Sequence, residues 1–287
     1  MQKPRRSVLY VPATNQAALA KIATRGADAV IIDLEDAVAP GEKVAARENL
    51  ERFFAAKPTG PTEWVIRINA LSGEWGADDL ALAARLEPDG ILLPKVDTPR
   101  DIAEANDVLD DEGVADETRL WAMIETPRAV INIGAIAELG RDRGARLSCL
   151  VAGTNDLVKD TGVLATPDRR YLLPWLMQIV LAARAGGIDV LDGVSNNFRD
   201  LDAFARECAE GASMGFDGKT LIHPAQVEPA NRAFSPSAEA VAEAERIRAA
   251  FALPENSAKG VISLDGRMVE RLHLAQAERL LAKAGRA

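Results

Sequence analysis

AVIIDLED, residues 29–36, carries the fold and the chemistry of this chain in one stretch. It begins as an apolar run without alternation, which suits a strand buried on both faces. It ends on Asp33, Glu35 and Asp36, so the strand stops in acid. The same design recurs in both directions. Before it lies SVLYVP (7–12), then a helical segment, residues 15–25, with Ala18, Leu19 and Ile22 on one face. After it come WVIRIN (64–69), GILLPKV (90–96), LWAMIET (120–126), LSCLVAG (147–153), DVLDGVS (189–195) and GFDGKTLI (215–222). Helical segments follow at 41–56, 77–86, 101–109, 129–139, 172–185, 200–210 and 224–232. Eight strands therefore alternate with eight helices, a pattern that implies a parallel sheet. That number of units favours an α/β fold closed into a (β/α)8 TIM barrel. No G-x-G-x-x-G follows the first strand, which weighs against an open dinucleotide-binding sheet.

Composition agrees. The 287 residues are 48% apolar, enough for one barrel of roughly 250 residues and a tail. A net charge of −9 argues against neutralising the phosphates of a nucleic acid. Cys149 and Cys208 have no metal-ligand spacing and form no disulfide framework. The basic N-terminus leads into an apolar stretch that stops at Pro12, too short for a signal segment. The most apolar helix contains Gln178 and Arg184 and is too short for a bilayer. These features predict a soluble, cytoplasmic protein without membrane partners. The pattern changes at Ser235, which sets the expected division: barrel 1–234 and a C-terminal helical extension 235–287. In the extension a charged helix (238–251) precedes a short strand (260–264), a tight turn at Asp265-Gly266 and a final helix (268–284). The barrel does not need this tail to close, so it is a candidate lid or oligomer arm.

In such barrels the active site is built where the strands end. The predicted strand ends collect Asp33, Glu35, Asp36, Arg67, Asn69, Lys95, Glu125 and Asp156. A single acid there usually caps a helix, but carboxylates crowded at one mouth repel each other unless a cation relieves them. Without Cys or His neighbours they select a hard ion, Mg2+ or Mn2+. Glu125 and Asp156 close adjacent predicted strands and suit two ligands to one ion. Arg67 can grip a substrate carboxylate with its planar fork. Lys95 is placed to pair with a neighbouring carboxylate. His223, after the eighth strand, could touch a ligand or bond a backbone carbonyl, His273 on the tail helix reads as structural, and no Ser-His-Asp spacing or phosphate-binding loop is present.

RRSVLYVPA, DLEDAV, RIN, LLPK, IET, GTNDL, MGFDGKTLIHPAQ and DGRMVE, taken in order, resemble the HpcH/HpaI aldolase and citrate lyase β-subunit superfamily. Within it they are similar to stand-alone CoA-ester lyases of the malyl-CoA and citramalyl-CoA type. The resemblance implies a barrel that assembles as trimers or hexamers and acts on a CoA thioester. It implies that Glu125 and Asp156 ligate Mg2+, that Arg67 and Glu125 contact substrate, and that Glu35 and Asp36 support the metal's water shell. It also implies that the tail reaches a neighbouring subunit's mouth. In the family's carbon–carbon lyases the tail carries a proton-transferring Asp after a Met-Ile or similar pair. Here Met268-Val269 is followed by Glu270, which becomes the candidate catalytic residue. GTNDL, DGVSNNFRD and VERLH resemble the branch of (3S)-malyl-CoA thioesterases. No His precedes His223, against the His base of the family's free-acid aldolases.

Three activities are thus expected to compete. The first is Mg2+-dependent cleavage of a carboxylated 3-hydroxyacyl-CoA to an acyl-CoA and a 2-oxo acid. The second is hydrolysis of malyl-CoA to malate and CoA. The third is service as the β-subunit of a multi-subunit citrate lyase.

Overall fold

A computed structural model describes residues 3–286. Eight parallel strands pair in sequence order and close, β8 on β1, into a barrel. The strands are β1 (Ser7–Pro12), β2 (Ala29–Asp33), β3 (Glu63–Arg67), β4 (Gly90–Leu93), β5 (Arg119–Ile124), β6 (Leu147–Ala152), β7 (Asp189–Asp192) and β8 (Gly218–Leu221). The helices around them are α1 (Gln16–Leu19), α2 (Lys43–Ala55), α3 (Gly76–Leu86), α4 (Pro99–Asp111), α5 (Pro127–Glu138), α6 (Thr154–Thr161), α7 (Leu173–Gly186), α8 (Leu201–Met214) and α9 (Val227–Ala233).

The unbroken apolar runs are explained by two buried layers. Val30, Ile32, Ile66, Ile91 and Leu150 face the helices. Their chain neighbours Ala29, Ile31, Val65, Leu92 and Val151 fill the barrel, together with Val8, Trp121, Met123, Cys149 and Leu191. Each strand alternates between the layers with the period of two that a pleat imposes. The starting ends of the strands are closed by Arg5. Its guanidinium donates to both oxygens of Glu63 at 2.7 Å and to Asp189 at 3.0 Å, and it lies 4.5 Å over the Trp121 ring.

Three expectations about the barrel need correction. The first strand has its predicted bounds, but the other seven are shorter than predicted, as where the residues after Asp33, Arg67 and Leu93 turn over the mouth instead of extending it. Residues 15–25 form not one helix but α1 and a separate turn of 3-10 helix, Ile22–Arg25. Residues 154–161, TNDLVKDT, form α6, which the apolar pattern does not reveal because it buries only Thr154 and Leu157. Asp156 therefore sits in the first turn of a helix just past β6.

The chain divides into two compact units, Met1–Phe234 and Ser235–Ala287. The second contains α10 (Ala238–Ala252), β9 (Val261–Leu264), β10 (Arg267–Glu270) and α11 (Arg271–Lys283). α10 and α11 pack through Val241, Ala244, Ala277 and Leu281. The predicted final helix starts later than residue 268, since Arg267–Glu270 pairs with β9 as an antiparallel hairpin. The turn explains it: Asp265 and Gly266 both have positive φ, 50° and 74°, the backbone that an Asp-Gly hairpin turn adopts.

Candidate active site

The period of two that fills the barrel also aims its mouth. On β2 the inward positions Ala29 and Ile31 lead to Asp33, and on β3 Val65 leads to Arg67. After Trp121 and Met123 the next inward position is Glu125; after Cys149 and Val151 it is Gly153. Asp33 and Arg67 are register partners on adjacent strands, so their side chains meet. Arg67 donates from Nε to Asp33 Oδ1 at 2.7 Å and from Nη2 to Oδ2 at 2.6 Å. Its Nη1 lies 2.7 Å from Glu35 Oε2, and its guanidinium sits 4.9 Å from the Tyr10 ring centroid. Burial works against the Arg67 charge, but Asp33 outweighs it, holding the guanidinium above its ordinary pKa. An arginine gripped this way has little conformational freedom left to lose when it meets a ligand.

The β2–α2 turn carrying Glu35 and Asp36 is pinned from below. Asp33 accepts from the backbone N–H of Glu35 at 2.9 Å and of Ala37 at 3.2 Å. Lys43, buried at the start of α2, donates to the carbonyls of Leu34 and Glu35 and to Asn69 Oδ1 at 2.7, 2.8 and 2.8 Å. Burial pushes the Glu35 carboxyl up to about 7, with Arg67 pulling it back. Asp36 is exposed on the same turn.

Glu125 is fully buried. Its Oε1 accepts from the backbone N–H of Lys95 at 2.8 Å, whereas its Oε2 is buried without a hydrogen-bond partner. Burial raises its carboxyl and Lys95 draws it down, with the rise prevailing. The Lys95 ammonium lies 3.3 Å from Glu125 Oε1 and 2.7 Å from Asp156 Oδ1. Gly153 makes this possible: a Cβ there would lie 2.2 Å from that of Glu125. Above these groups opens a cavity of about 310 Å3, lined by Tyr10, Asp36, Arg67, Glu125, Asp156 and Thr220 among others.

The donor set fits a hard divalent ion. Two carboxylates converge without His or Cys, and one of their oxygens is buried and unsatisfied. Among the described residues no cluster of three or more His, Cys, Asp or Glu could hold a metal. A cation here would have two protein ligands and complete its shell with water, as Mg2+ commonly does.

Arg67, Lys95, Glu125, Asp156, Glu35 and Asp36 thus converge on one mouth. Glu270 belongs to the second unit, where it is half-buried and caps α11 in a reciprocal box with His273, whose Nδ1 accepts from the Glu270 N–H at 2.9 Å. His223 accepts from the Ala225 N–H at 3.1 Å and stacks on Phe198. Sequence reading gave no role to Tyr10, Lys43 or the Asp192–Lys219 pair. The last had a signal: a Lys inside an apolar strand needs a carboxylate on the next one, and Lys219 and Asp192 are register partners. Among the described residues no helix is long and apolar enough to cross a membrane.

Residues 6–224 match the family model described as HpcH/HpaI aldolase/citrate lyase. The chain is 44% identical over 281 residues to a (3S)-malyl-CoA thioesterase of Cereibacter sphaeroides, covering 98% of this chain and 95% of that protein. It is 32% identical over 291 residues to the mitochondrial citramalyl-CoA lyase of Homo sapiens, covering 98% and 86%. Among solved structures it is similar to protein CitE from Mycobacterium tuberculosis, crystallised with magnesium, acetoacetate and coenzyme A. That likeness has a TM-score of 0.78 at 30% identity and covers 99% of this chain and 100% of that one. With its closed barrel, its mouth of carboxylates and these matches, the chain belongs to the HpcH/HpaI aldolase/citrate lyase family.

Proposed function

We propose that this protein is a Mg2+-dependent enzyme that cleaves a carbon–carbon bond in a carboxylated 3-hydroxyacyl-CoA, releasing an acyl-CoA and a 2-oxo acid. The observation that carries this reading is the buried Glu125, one oxygen unsatisfied, facing Asp156 across a mouth that also presents Arg67. The CoA thioester is supported by the names of the relatives and by the ligands of the CitE crystal. An ion held by Glu125 and Asp156 would supply Lewis-acid polarisation of the oxygen that becomes the keto group. Arg67, held flat by Asp33 and Glu35, would pair with the substrate's carboxylate through its pocket-facing edge. A base would remove the 3-hydroxyl proton as the carbon–carbon bond breaks. The bonding electrons pass to the carbon next to the thioester, which then takes up a proton to give the acyl-CoA. Glu270, reaching this mouth from a neighbouring subunit, is our candidate for the proton transfer. Assembly as a homo-oligomer, a trimer or hexamer, and residence in the cytoplasm complete the reading.

Hydrolysis of the thioester is a second reading. It is favoured by the 44% identity to a (3S)-malyl-CoA thioesterase and by the Glu at position 270. Water would then attack the thioester carbonyl, with Glu270 as general base. One experiment separates the two. The purified protein is incubated with malyl-, citramalyl- and citryl-CoA and Mg2+, trapping 2-oxo acid with phenylhydrazine and CoA with a thiol reagent. Glyoxylate, pyruvate or oxaloacetate without free thiol supports cleavage; malate with free thiol supports hydrolysis. Full turnover in EDTA would overturn the metal-dependent reading of either kind, and no turnover of any free ester would leave the citrate lyase subunit.

A further inference from the structure

Lys95 stands where a cation would. Its ammonium bridges Asp156 Oδ1 at 2.7 Å and Glu125 Oε1 at 3.3 Å, and its own backbone N–H takes the same Glu125 oxygen. The backbone that delivers it is unusual: φ is +52°, a left-handed conformation that a side chain adopts at some cost. A hard ion bound to both carboxylates needs an oxygen of each at about 2.0–2.1 Å. An ion that takes the two oxygens Lys95 now holds would overlap the space of the ammonium, and one that takes the free Glu125 Oε2 instead would still stand beside it, where two positive centres repel. Beside Lys95, away from Asp156, lies a second cavity of about 150 Å3 that Lys95 also lines with Ile68, Ser72, Asp101 and Glu104. It offers a displaced ammonium room and two carboxylates, Asp101, which accepts from the N–H groups of Asp97 and Thr98, and Glu104, which pairs with Arg100.

We propose that Lys95 is a built-in competitor for the divalent ion: it bridges Glu125 and Asp156 in the metal-free protein and swings toward the Asp101–Glu104 cavity when the ion enters. This rests on the reading that Glu125 and Asp156 hold the ion. The lysine keeps two carboxylates, one fully buried, from repelling each other before the metal arrives. The same contact weakens metal binding, because each binding event must first break it.

The test uses the full chain without substrate, with Mn2+ as probe, read by the electron paramagnetic resonance of free Mn2+. Lys95→Met removes the ammonium, and Lys95→Gly does so while suiting the left-handed backbone, so at least one variant should fold. Both should bind Mn2+ about 10-fold or more tightly than the wild type. In EDTA Lys95→Met should melt at a lower temperature than the wild type, and Mn2+ should raise its melting temperature more. Unchanged or weaker Mn2+ binding in the folded variants would overturn the competitor role. Asp156→Asn and Glu125→Gln, run alongside, test the underlying reading. If they bind Mn2+ as the wild type does, the ion is held elsewhere and both ideas fall.

Discussion

Gly153 makes room for the candidate site by lacking a side chain. Its φ of −97° is open to any residue, so only space constrains it. A methyl there would meet Glu125 Cβ at 2.2 Å and Oε2 at 2.8 Å. Gly153→Ala should therefore push the Glu125 carboxylate out of place while the barrel stays folded. We expect Mn2+ affinity and turnover to fall on the order of 100-fold, comparable to losing roughly 2.7 kcal/mol of interaction. Circular dichroism unchanged with binding intact would show that β6 yields instead. Glu35 makes a prediction with a sign. Its folded carboxyl sits near 7 because burial opposes its charge, above the roughly 4.3 of an unfolded Glu. Across that window the folded protein keeps a proton that the unfolded chain has released. Stability from this group is thus complete below about pH 4.3 and is lost as pH rises through 7. Glu35→Gln mimics the neutral acid and escapes the loss. In EDTA, its melting temperature relative to wild type should rise from pH 5 to pH 8. A flat or falling difference would mean that the Arg67 pair outweighs desolvation.

Elements were legible in the sequence wherever burial on both faces wrote an apolar run, as in AVIID and LWAMI. They were obscure where a different force set the shape. The strand ends could not be placed, because Asp33, Arg67 and Glu125 keep the inward period of two while the chain passes from strand to turn. TNDLVKDT hid because a short helix with two buried residues has almost no apolar face. Of the hairpin, β9 and the Asp265-Gly266 turn were legible, but β10 merges with the predicted final helix because its four residues are mostly exposed and carry no clean alternation. The candidate acids of the site were readable as strand-end residues; their mutual grip was not, since register is a property of pairs. Lys219 is the clearest case. It is fully buried, as is Asp192, and its ammonium lies 2.9 Å from Asp192 and 2.7 Å from Glu207. Arg169, from the loop before α7, donates to both Asp192 oxygens at 2.8 Å and to Glu210. The cluster ties β7, β8, α8 and that loop together just below the mouth. Removing one partner leaves buried charge uncompensated, so Lys219→Met should cost on the order of 3 kcal/mol in urea unfolding. Arg232→Met, which breaks only an exposed pair with Glu228, should cost less than about 0.5 kcal/mol. Equal effects would contradict the ranking by burial.

At the scale of the whole molecule the question is what the second unit does. The barrel closes within Met1–Phe234 and does not need it. Glu270 has a sufficient local role as the cap of α11, worth about 1 kcal/mol for a cap of this sort. A purely local role predicts that Glu270→Ala lowers the melting temperature slightly and leaves turnover alone. Our proposal, that Glu270 completes the mouth of a neighbouring subunit, predicts the reverse weighting: a heavy loss of turnover with a small shift in melting. It also requires a partner. The barrel unit carries exposed apolar side chains on two adjacent helices, Ile131 on α5 with Met177 and Leu181 on α7, and such a patch commonly marks a protein contact. Light scattering should therefore report an oligomer. Mixing then becomes decisive. Protomers with Glu270→Ala keep an intact barrel mouth, and protomers with Arg67→Ala keep an intact tail. Neither alone should turn over substrate, but after subunit exchange a mixed interface would pair an intact Arg67 with an intact Glu270. Activity should return to a fraction of the wild type, set by how many interfaces are mixed. A monomer, or a mixture that stays inactive after exchange has been verified, would confine Glu270 to its own chain and leave the proton transfer to the groups of the barrel.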